Sequence, residues 1–254
     1  VVTEDRASGA QVIDGCLRFE RSKTTHLKRT LGSGNVKKWT WSCWIQRTFI
    51  DSSANFYRIF GQSNNNHFFF YEDDLYFDVG GSSYKLITNQ KFRDTGWFHL
   101  VGILDTDNST SGDRMILYIN GERVTSFSTE NYPTSGWSSG TINSAALHDI
   151  AYRNDSAGGA LSANMSQIYF VDGQALDSSY FGFTDPLTNT WRPKKYSGTF
   201  GTNGFYLPLD GNSPISQDHS GNGNDFTPVR IGGTVSLDKA TGALPILNTN
   251  GGGT

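Results

Sequence analysis

The chain has 254 residues, with 21 Lys and Arg against 24 Asp and Glu, and a formal net charge of −3. This balance provides no basic surface for a phosphate backbone, so we expect no nucleic-acid partner. Glycine is abundant, at 29 residues, and 13% of the residues are aromatic, which is typical of aromatic-rich strands joined by many turns.

Strand candidates follow one another along most of the chain. Helical periodicity is nearly absent: residues 178–181 form a short candidate after Asp177, and residues 147–152 fit either a helix or a strand. Successive strands without helices between them predict an all-β, antiparallel β-sandwich rather than a parallel α/β sheet. The strand candidates are 16–20, 26–29, 39–47, 56–61, 67–72, 74–79, 83–88, 97–105, 114–119, 122–127, 146–152 and 165–171.

The candidate strand 39–47 shows which face points inward. Successive side chains of a strand point to opposite faces, so one face is strongly apolar and we predict that it lies in the core. The predicted inward residues are Trp39, Trp41, Cys43 and Ile45. The opposite, mostly polar face consists of Thr40, Ser42, Trp44 and Gln46.

Residues 97–105 and 114–119 predict two central strands. Both runs are apolar on both faces, which is typical of strands that are covered on both sides. Asn120-Gly121 follows, and both residues tolerate the positive φ of a type I′ hairpin turn. A further turn at Gly173 is predicted to close this series of strands.

The sequence changes character after residue 183. Residues 184–195 are a proline-punctuated connector, residues 204–209 form one strand-like run, and turn residues dominate 210–225. We expect the last segment of the chain to dock on the sandwich or to lead to a further domain. The predicted segments are an N-terminal arm (1–11), a β-sandwich (12–183) and a C-terminal extension (184–254).

The two termini, the longest apolar runs and the two cysteines indicate whether the sequence belongs to a longer protein, spans a membrane or contains a disulfide. The sequence starts without Met and ends in a Gly-rich stretch, so we interpret it as part of a longer polypeptide. No apolar run reaches the roughly 18 residues that a membrane-spanning helix needs. Cys16 and Cys43 are predicted to be buried, reduced thiols; a single disulfide and a metal site are the alternatives.

Several segments, taken in order, resemble laminin-G-like, concanavalin A-like jelly rolls. The resemblance covers roughly residues 12–183 and implies a concanavalin A-like jelly-roll sandwich, a fold shared by lectins and glucanases. Its segments are 16–19, 26–27, 41–45, 97–101, 117–121 and 165–176.

The C-terminal part resembles the laminin-G-like modules of bacteriophage virion proteins, chiefly tail fibres. This likeness implies a structural or adsorption protein located in the virion, with other virion proteins as partners. It also implies a homo-oligomer, and a trimer is common among fibres, although no coiled-coil heptad in the sequence supports that stoichiometry. The segments that carry the likeness are 175–177, 191–193, 204–207 and 218–225.

Two functions follow from these resemblances. The first is a non-enzymatic module that binds a cell-surface glycan during adsorption, and the alternative is a purely structural virion module that mediates subunit contacts or decorates the capsid. Retaining glucanases of this fold alternate their acids along one strand, whereas the nearest acidic cluster here is the consecutive run Glu72-Asp73-Asp74. We therefore predict that the chain is not an enzyme and needs no cofactor, with calcium as the one candidate.

Calcium takes six to eight oxygen ligands, often from Asp, Asn and backbone carbonyls. Oxygen-rich loops at 105–113 and 154–155 offer such ligands, a third lies at 210–225, and laminin-G-like domains hold calcium at comparable rims. Asp and Asn also favour turns for local reasons, so a purely structural interpretation stays open. The candidate calcium ligands are Asp105, Asp107, Asn108 and Asp113 in one loop, and Asn154 and Asp155 in the other.

Sugars are held by aromatic faces together with planar polar side chains, which loops on a rigid sandwich can present. The turn-rich loop 132–137 carries two aromatic residues, and the alternative is that Trp137 covers a sheet edge or packs against another subunit. His99 and His148 lie in strand-like runs and are predicted to be structural. The candidate carbohydrate-binding residues are Tyr132, Trp137, Asn65, His67, Tyr152 and Arg153.

Overall fold

The computed structural model describes residues 9–51, 55–62, 67–80, 83–138, 142–153, 159–211 and 214–231. Within these ranges there are three short 3-10 helices, at Arg21–Lys23, Ser111–Asp113 and Ser178–Tyr180, and the remaining regular structure is β-strand. The strands in the same ranges are β1 (Leu17–Phe19), β2 (His26–Thr30), β3 (Lys38–Arg47), β4 (Phe56–Gln62), β5 (His67–Tyr71), β6 (Asp74–Asp78), β7 (Lys85–Lys91), β8 (Trp97–Asp105), β9 (Met115–Ile119), β10 (Glu122–Arg123), β11 (Phe127–Asn131), β12 (Leu147–Ile150), β13 (Ala163–Asp172), β14 (Gly182–Asp185), β15 (Thr190–Pro193), β16 (Phe205–Leu207) and β17 (Thr227–Val229).

The first sheet has the order β1-β13-β3-β8-β9-β10, and all neighbours are antiparallel. Strand β16 also pairs with β13, so that β1 meets residues 163–165 of β13 and β16 meets residues 168–170. The register of β13 shifts between Ser166 and Tyr169, where Gln167 has a φ of 50°. A strand from the C-terminal part of the chain therefore completes an edge of the first sheet.

The second sheet has the order β11-β7-β6-β5-β4-β12-β2-β17, again with antiparallel neighbours. Its edge strand β17 also comes from the C-terminal part of the chain and pairs with β2. The two sheets form the antiparallel sandwich that the spacing of the strands predicts. The all-β fold class is thereby confirmed.

Aromatic rings hold the two sheets together. Trp41 of β3 stacks on Phe60 of β4, with ring centroids 4.1 Å apart and an interplanar angle of 4°. Trp39 contacts the edge of Phe68 at 6.1 Å. A Cβ at Gly102 would lie 2.3 Å from Phe68 Cε1, so this glycine is required by the close approach of the ring from the opposite sheet. The core is thus aromatic and tightly packed.

The outer face of the first sheet is covered as well. Thr40 Oγ1 donates to the carbonyl of Gln174 at 2.8 Å and accepts from the Leu176 amide at 2.9 Å. The polar face of β3 is therefore buried beneath the chain that follows β13. A second apolar cluster forms there from Val101, Ile103, Tyr169, Val171, Leu176, Phe181, Tyr196 and Tyr206.

These features confirm several predictions about the strands. The predicted inward face of β3 is fully buried, and β8 is covered on both sides. Asn120 and Gly121 both have positive φ, at 49° and 86°, as the type I′ turn requires. Residues 147–150 form a strand, which resolves the helix-or-strand ambiguity, and Ala151 follows that strand with a φ of 69°.

The predicted connector at 184–195 is wrong, because most of it belongs to a hairpin. Strands β14 and β15 pair from Gly182 with Pro193 to Asp185 with Thr190. A buried ion pair, Arg192 Nε to Asp185 Oδ2 at 2.6 Å, joins them. The proline misled the prediction, since a proline at the end of an edge strand removes no ladder hydrogen bond. The strand series therefore continues beyond the turn at Gly173.

Cys16 and Cys43 are both buried, reduced thiols, which confirms their prediction and excludes the disulfide alternative. Burial raises the pKa of the Cys43 thiol far above its ordinary value. Among the helices that the structure describes, none is long and apolar enough to cross a bilayer.

Candidate functional site

The outer face of the second sheet presents large side chains that are not part of the hydrophobic core. On β5, Phe68 and Phe70 point into the core, and alternation therefore places Phe69 and Tyr71 on the outer face. The same alternation places Tyr76 of β6 there, between two core residues. Two clusters occupy this face. One is aromatic and lies on β4, β5 and β6, and the other is polar and lies on β2, β12 and β17.

The first cluster is an aromatic patch made of Phe56, Phe69, Tyr71 and Tyr76. Phe69 stacks on Tyr76 at 4.5 Å, and Phe56 contacts Tyr71 at 5.0 Å and Phe69 at 5.4 Å. Phe56 is 38% exposed, which is unusual for so large an apolar side chain. The guanidinium of Arg153 lies 5.5 Å from the Phe56 ring centroid. The patch combines flat apolar rings with a cation at its rim.

The second cluster surrounds a cavity of about 200 Å³, which we call the Asp149 pocket. Asp149 and Lys28 lie opposite each other on β12 and β2, so the acid and the amine share one region of the sheet face. Arg230 follows β17 and donates to Thr24 Oγ1. The lining residues are Thr24, His26, Lys28, Leu147, Asp149, Tyr152, Val229 and Arg230.

His26 lines the Asp149 pocket and presents a hydrogen-bond acceptor to it. Its Nδ1 lies 2.8 Å from the carbonyl of Thr24 and donates to it, so the neutral ring presents Nε2 as a lone pair. Burial lowers the pKa of His26, with smaller contributions from Lys28 and Arg230. The ring stacks on Tyr152 with centroids 4.4 Å apart. The imidazole is therefore fixed in orientation and is neutral at physiological pH.

Asp149 is the most unusual group in this region. Its side chain is 1% exposed, yet neither carboxylate oxygen has a hydrogen-bond partner among the described residues, and His26 Nε2 lies 4.0 Å from Oδ1. Burial raises the pKa of Asp149 to about 6, against opposing contributions from Arg58 and Lys28. An unsatisfied buried carboxylate costs free energy of folding, so a retained one calls for an explanation.

The two predicted sugar-binding aromatic residues lie elsewhere, against the core. Trp137 is half-buried and makes an edge contact with Tyr84 at 5.0 Å. Tyr132 is also half-buried against the core, and its hydroxyl lies 3.5 Å from Glu130 Oε2. Both rings therefore pack against the core of the sandwich.

The other predicted sugar ligands divide between the second sheet and the part of the chain that is not described. Tyr152 lines the Asp149 pocket and Arg153 lies over the aromatic patch, so these two neighbours connect the clusters. The backbone of His67 opens β5, but its side chain lies outside the described part, as does residue Asn65. The structure thus brings Tyr152 and Arg153 together, away from Tyr132 and Trp137.

The carboxylates of the first predicted calcium loop form ion pairs with lysine and arginine side chains of the protein. Asp105 pairs with Lys38 at 3.0 Å, and Asp107 lies 3.6 Å from Lys37. Asp113 pairs with Arg123 at 2.6 Å, and Asn108 Oδ1 accepts from the Thr110 amide at 2.9 Å. Within the described residues, no group of three or more His, Cys, Asp or Glu side chains is placed to hold a metal ion.

These carboxylates each face a different cation rather than one another, so the described part of this loop does not fit calcium. Asn154 and Asp155, the second set of predicted ligands, lie outside the described residues. Their role stays a prediction.

The two histidines predicted to be structural each satisfy both ring nitrogens within the protein. His99 Nδ1 accepts from Trp191 Nε1 at 3.0 Å, and its Nε2 lies 2.8 Å from Ser42 Oγ. Burial lowers the pKa of His99 to about 3. His148 accepts from the Asn143 amide at 3.2 Å and donates from Nδ1 to the Ala146 carbonyl at 2.9 Å. Neither ring is available to a ligand.

Residues 21–161 match the Laminin_G_3 family of the concanavalin A-like lectin/glucanases superfamily. The chain belongs to this superfamily. The sequence resemblance to laminin-G-like jelly rolls is thereby confirmed over most of its predicted extent. No curated protein matches the chain in sequence.

Solved structures share the superfamily fold at low identity. A Bacteroides ovatus protein to which carbohydrate binding has been assigned is 12% identical and has a TM-score of 0.55. The match covers 85% of this chain and 58% of that longer one. A heptameric SAP-like pentraxin from Limulus polyphemus is 19% identical, with a TM-score of 0.47 and coverage of 64% and 77%.

A third structure is a tailspike protein of Escherichia coli O157:H7 bacteriophage CAB120. It is 12% identical, with a TM-score of 0.44, and the match covers 71% of this chain and 25% of the tailspike. At 12% identity and a TM-score of 0.55, the Bacteroides ovatus structure supports the fold of this chain and no more.

Sequence reasoning missed the outer face of the second sheet in this lectin-like sandwich. The run His67-Phe68-Phe69-Phe70-Tyr71 carries aromatic residues at successive positions, so alternation must place some of them outside the core. That signal was present in the sequence. Asp149 and Arg230 gave no such signal, because 81 positions separate them and only the pairing of β12, β2 and β17 brings them together.

Proposed function

We propose that the chain is a non-enzymatic carbohydrate-binding module used for adsorption by a bacteriophage fibre or another virion protein. The observation that carries the carbohydrate part is the aromatic patch on the outer face of the second sheet. Its four rings contact one another at 4.5–6.0 Å and leave Phe56 substantially exposed. A flat, partly apolar surface of this kind complements the C–H face of a sugar ring.

Polar groups beside the patch supply the second requirement of a sugar site. Arg153 lies over Phe56, and Lys91 pairs with Asp74 across β6 and β7, at the far side of the patch. Charged donors and acceptors at the rim of an apolar platform fix the orientation of a hydroxylated ligand. Membership of a superfamily named for lectins and glucanases supports carbohydrate as the ligand class.

We propose that the chain is not an enzyme because its carboxylate side chains are not arranged as glycosidases need them. Retaining glycosidases need two carboxyl groups about 5 Å apart, and inverting ones need about 6.5–9.5 Å. Asp149 is the one carboxylate among the residues that line its pocket. In the acidic cluster at 72–74, Asp73 bonds Arg93 at 2.8 Å and Asp74 bonds Lys91, so both acids serve ion pairs.

The virion assignment rests on the resemblance of the C-terminal segments to phage modules. It implies a virion location, other virion proteins as partners, and a homo-oligomeric particle component. A purely structural module is the second candidate, and exposed apolar side chains beside the first sheet favour it. Leu187 in the β14–β15 hairpin is 89% exposed and Tyr180 is 46% exposed, as a subunit contact would require.

A glycan array probed with the purified chain tests the carbohydrate part. We expect Phe56→Ala to reduce binding to the preferred oligosaccharide at least tenfold, because the exposed ring is removed from the patch. Phe49→Ala is the matched control, since Phe49 is 47% exposed and lies outside the patch. Thermal unfolding measurements establish that both variants are folded.

Equal binding by the two variants would reject the aromatic patch as the site. No binding to any glycan, combined with self-association that Leu187→Ser abolishes, would favour the structural alternative.

A further inference from the structure

We propose that the Asp149 pocket is a subsite for one neutral sugar residue, in which the Asp149 carboxylate accepts hydrogen bonds from ring hydroxyls. This inference rests on the proposed carbohydrate function and names a second place on the same sheet face where the ligand is held. The aromatic patch binds the following part of an oligosaccharide.

The size of the pocket limits its occupant. Its volume of about 200 Å³ equals that of roughly seven water molecules in the liquid. Pockets for drug-sized ligands run from about 300 to 1,000 Å³, so this one is smaller. A single pyranose ring with its hydroxyl groups suits this volume, and a disaccharide exceeds it.

The polar groups in the pocket suit a ligand that both donates and accepts hydrogen bonds. Asp149 offers two acceptor oxygens, and His26 offers Nε2 as a third acceptor because its Nδ1 already donates to Thr24. Lys28 and Arg230 are donors only. Sugar hydroxyls satisfy both kinds of group. A simple anion would leave the carboxylate unsatisfied, and a simple cation would face Lys28 and Arg230.

The buried carboxylate is the independent sign of a ligand. Asp149 is 1% exposed and lines the pocket, and within the part of the chain that the structure describes neither of its oxygens has a hydrogen-bond partner. The charged and titratable groups that face it are His26 and Lys28 from β2, Arg58 from β4 and Arg230 after β17. His26 is the nearest, and its Nε2 is too distant for a hydrogen bond.

The pocket and the aromatic patch lie on adjoining strands of the same sheet face. Tyr152 lines the pocket, and the next residue, Arg153, places its guanidinium over Phe56 of the patch. Strand β12 of the pocket pairs directly with β4 of the patch, and neighbouring strands lie about 4.8 Å apart. An oligosaccharide with its terminal residue in the pocket therefore reaches the aromatic rings with its next residues.

Saturation-transfer NMR on the whole chain tests this subsite with single sugars. The probes are the methyl glycosides of glucose, galactose, mannose and N-acetylglucosamine, together with N-acetylneuraminic acid as an acidic sugar. We expect transfer to at least one neutral glycoside, and at least a tenfold loss of affinity in Asp149→Asn. Asp113→Asn, which changes an acid far from the pocket, is expected to bind like the parent chain.

A second variant tests the subsite even if Asp149→Asn does not fold. Arg230→Gln alters an exposed residue of the pocket rim, so it should fold and still weaken the neutral glycoside severalfold. Because an ionised carboxylate accepts hydrogen bonds from hydroxyl groups more strongly than a protonated acid does, binding should also weaken as the pH falls below about 6.

Three results overturn the subsite. They are no transfer to any neutral glycoside, equal affinity in Asp149→Asn, or preferential binding of the acidic sugar. The proposed function survives each of them if Phe56→Ala still reduces oligosaccharide binding, because that measurement reports on the patch alone. If Phe56→Ala also has no effect, both proposals fail.

Discussion

The two sheets of the sandwich differ in what lies on their outer faces. On the first sheet, residues 174–200 bury even the polar face of β3 and bring Trp191 to His99. On the second sheet, the outer face keeps an exposed Phe56, half-buried tyrosines and a polar cavity. The C-terminal chain thus covers the outer face of the first sheet and leaves large side chains exposed on the outer face of the second.

The largest expected contrast concerns a tyrosine on each face. Tyr169 on the covered face is 2% exposed and stacks on Tyr206 at 4.4 Å, so Tyr169→Ala should lower the free energy of unfolding by about 3–5 kcal/mol. Tyr76→Ala on the open face should cost about 1 kcal/mol, because its ring is half-buried. Urea denaturation measures both. Equal costs would show that the two faces are covered alike.

The next effect is the pH dependence imposed by His99 on the covered face. Its folded pKa of about 3 lies below the ordinary value near 6.5, so its contribution to stability is present above pH 6.5 and is lost as the pH falls towards 3. We expect a loss of about 2 kcal/mol between pH 7 and pH 5. In His99→Gln the free energy of unfolding should depend less steeply on pH.

His219→Gln, which replaces an exposed histidine, is the control for this measurement. If its pH dependence flattens as much as that of His99→Gln, the burial of His99 is not the cause.

The smallest expected effect comes from Asp149 on the open face of the second sheet. Its contribution to stability changes with pH in the opposite direction to that of His99. The folded pKa of Asp149 is raised to about 6, so its contribution to stability is present below its unfolded value and is lost as the pH rises through 6. Asparagine cannot ionise, and Asp149→Asn should therefore be more stable than the parent by about 1 kcal/mol at pH 8. Thermal unfolding at pH 8 and pH 4 should show this gain shrinking at the lower pH.

Such a gain, combined with lost sugar binding, is expected of a residue kept for recognition rather than for stability. A less stable Asp149→Asn at pH 8 would instead mean that the carboxylate stabilises the fold.

The sequence anticipated the strands better than the site. Alternation in 39–47 identified the core face of β3, and Asn120-Gly121 identified the hairpin turn between β9 and β10, because both signals depend on neighbouring residues. In the aromatic loop 132–137 the turn-rich sequence predicts exposed rings rather than core packing. In the structure Tyr132 and Trp137 pack on the core instead, because a half-buried ring in a loop gains more from apolar contact than from water.

The sequence by itself determined the all-β class, the positions of most strands along the chain, the inward face of β3 and the superfamily. These follow from local periodicity and turn chemistry, which need no knowledge of distant residues. Tertiary structure alone decided that the C-terminal chain covers the first sheet, and that β12, β2 and β17 surround one buried carboxylate. Such neighbours are joined by pairing across long stretches of chain, and pairing depends on how whole sheets assemble.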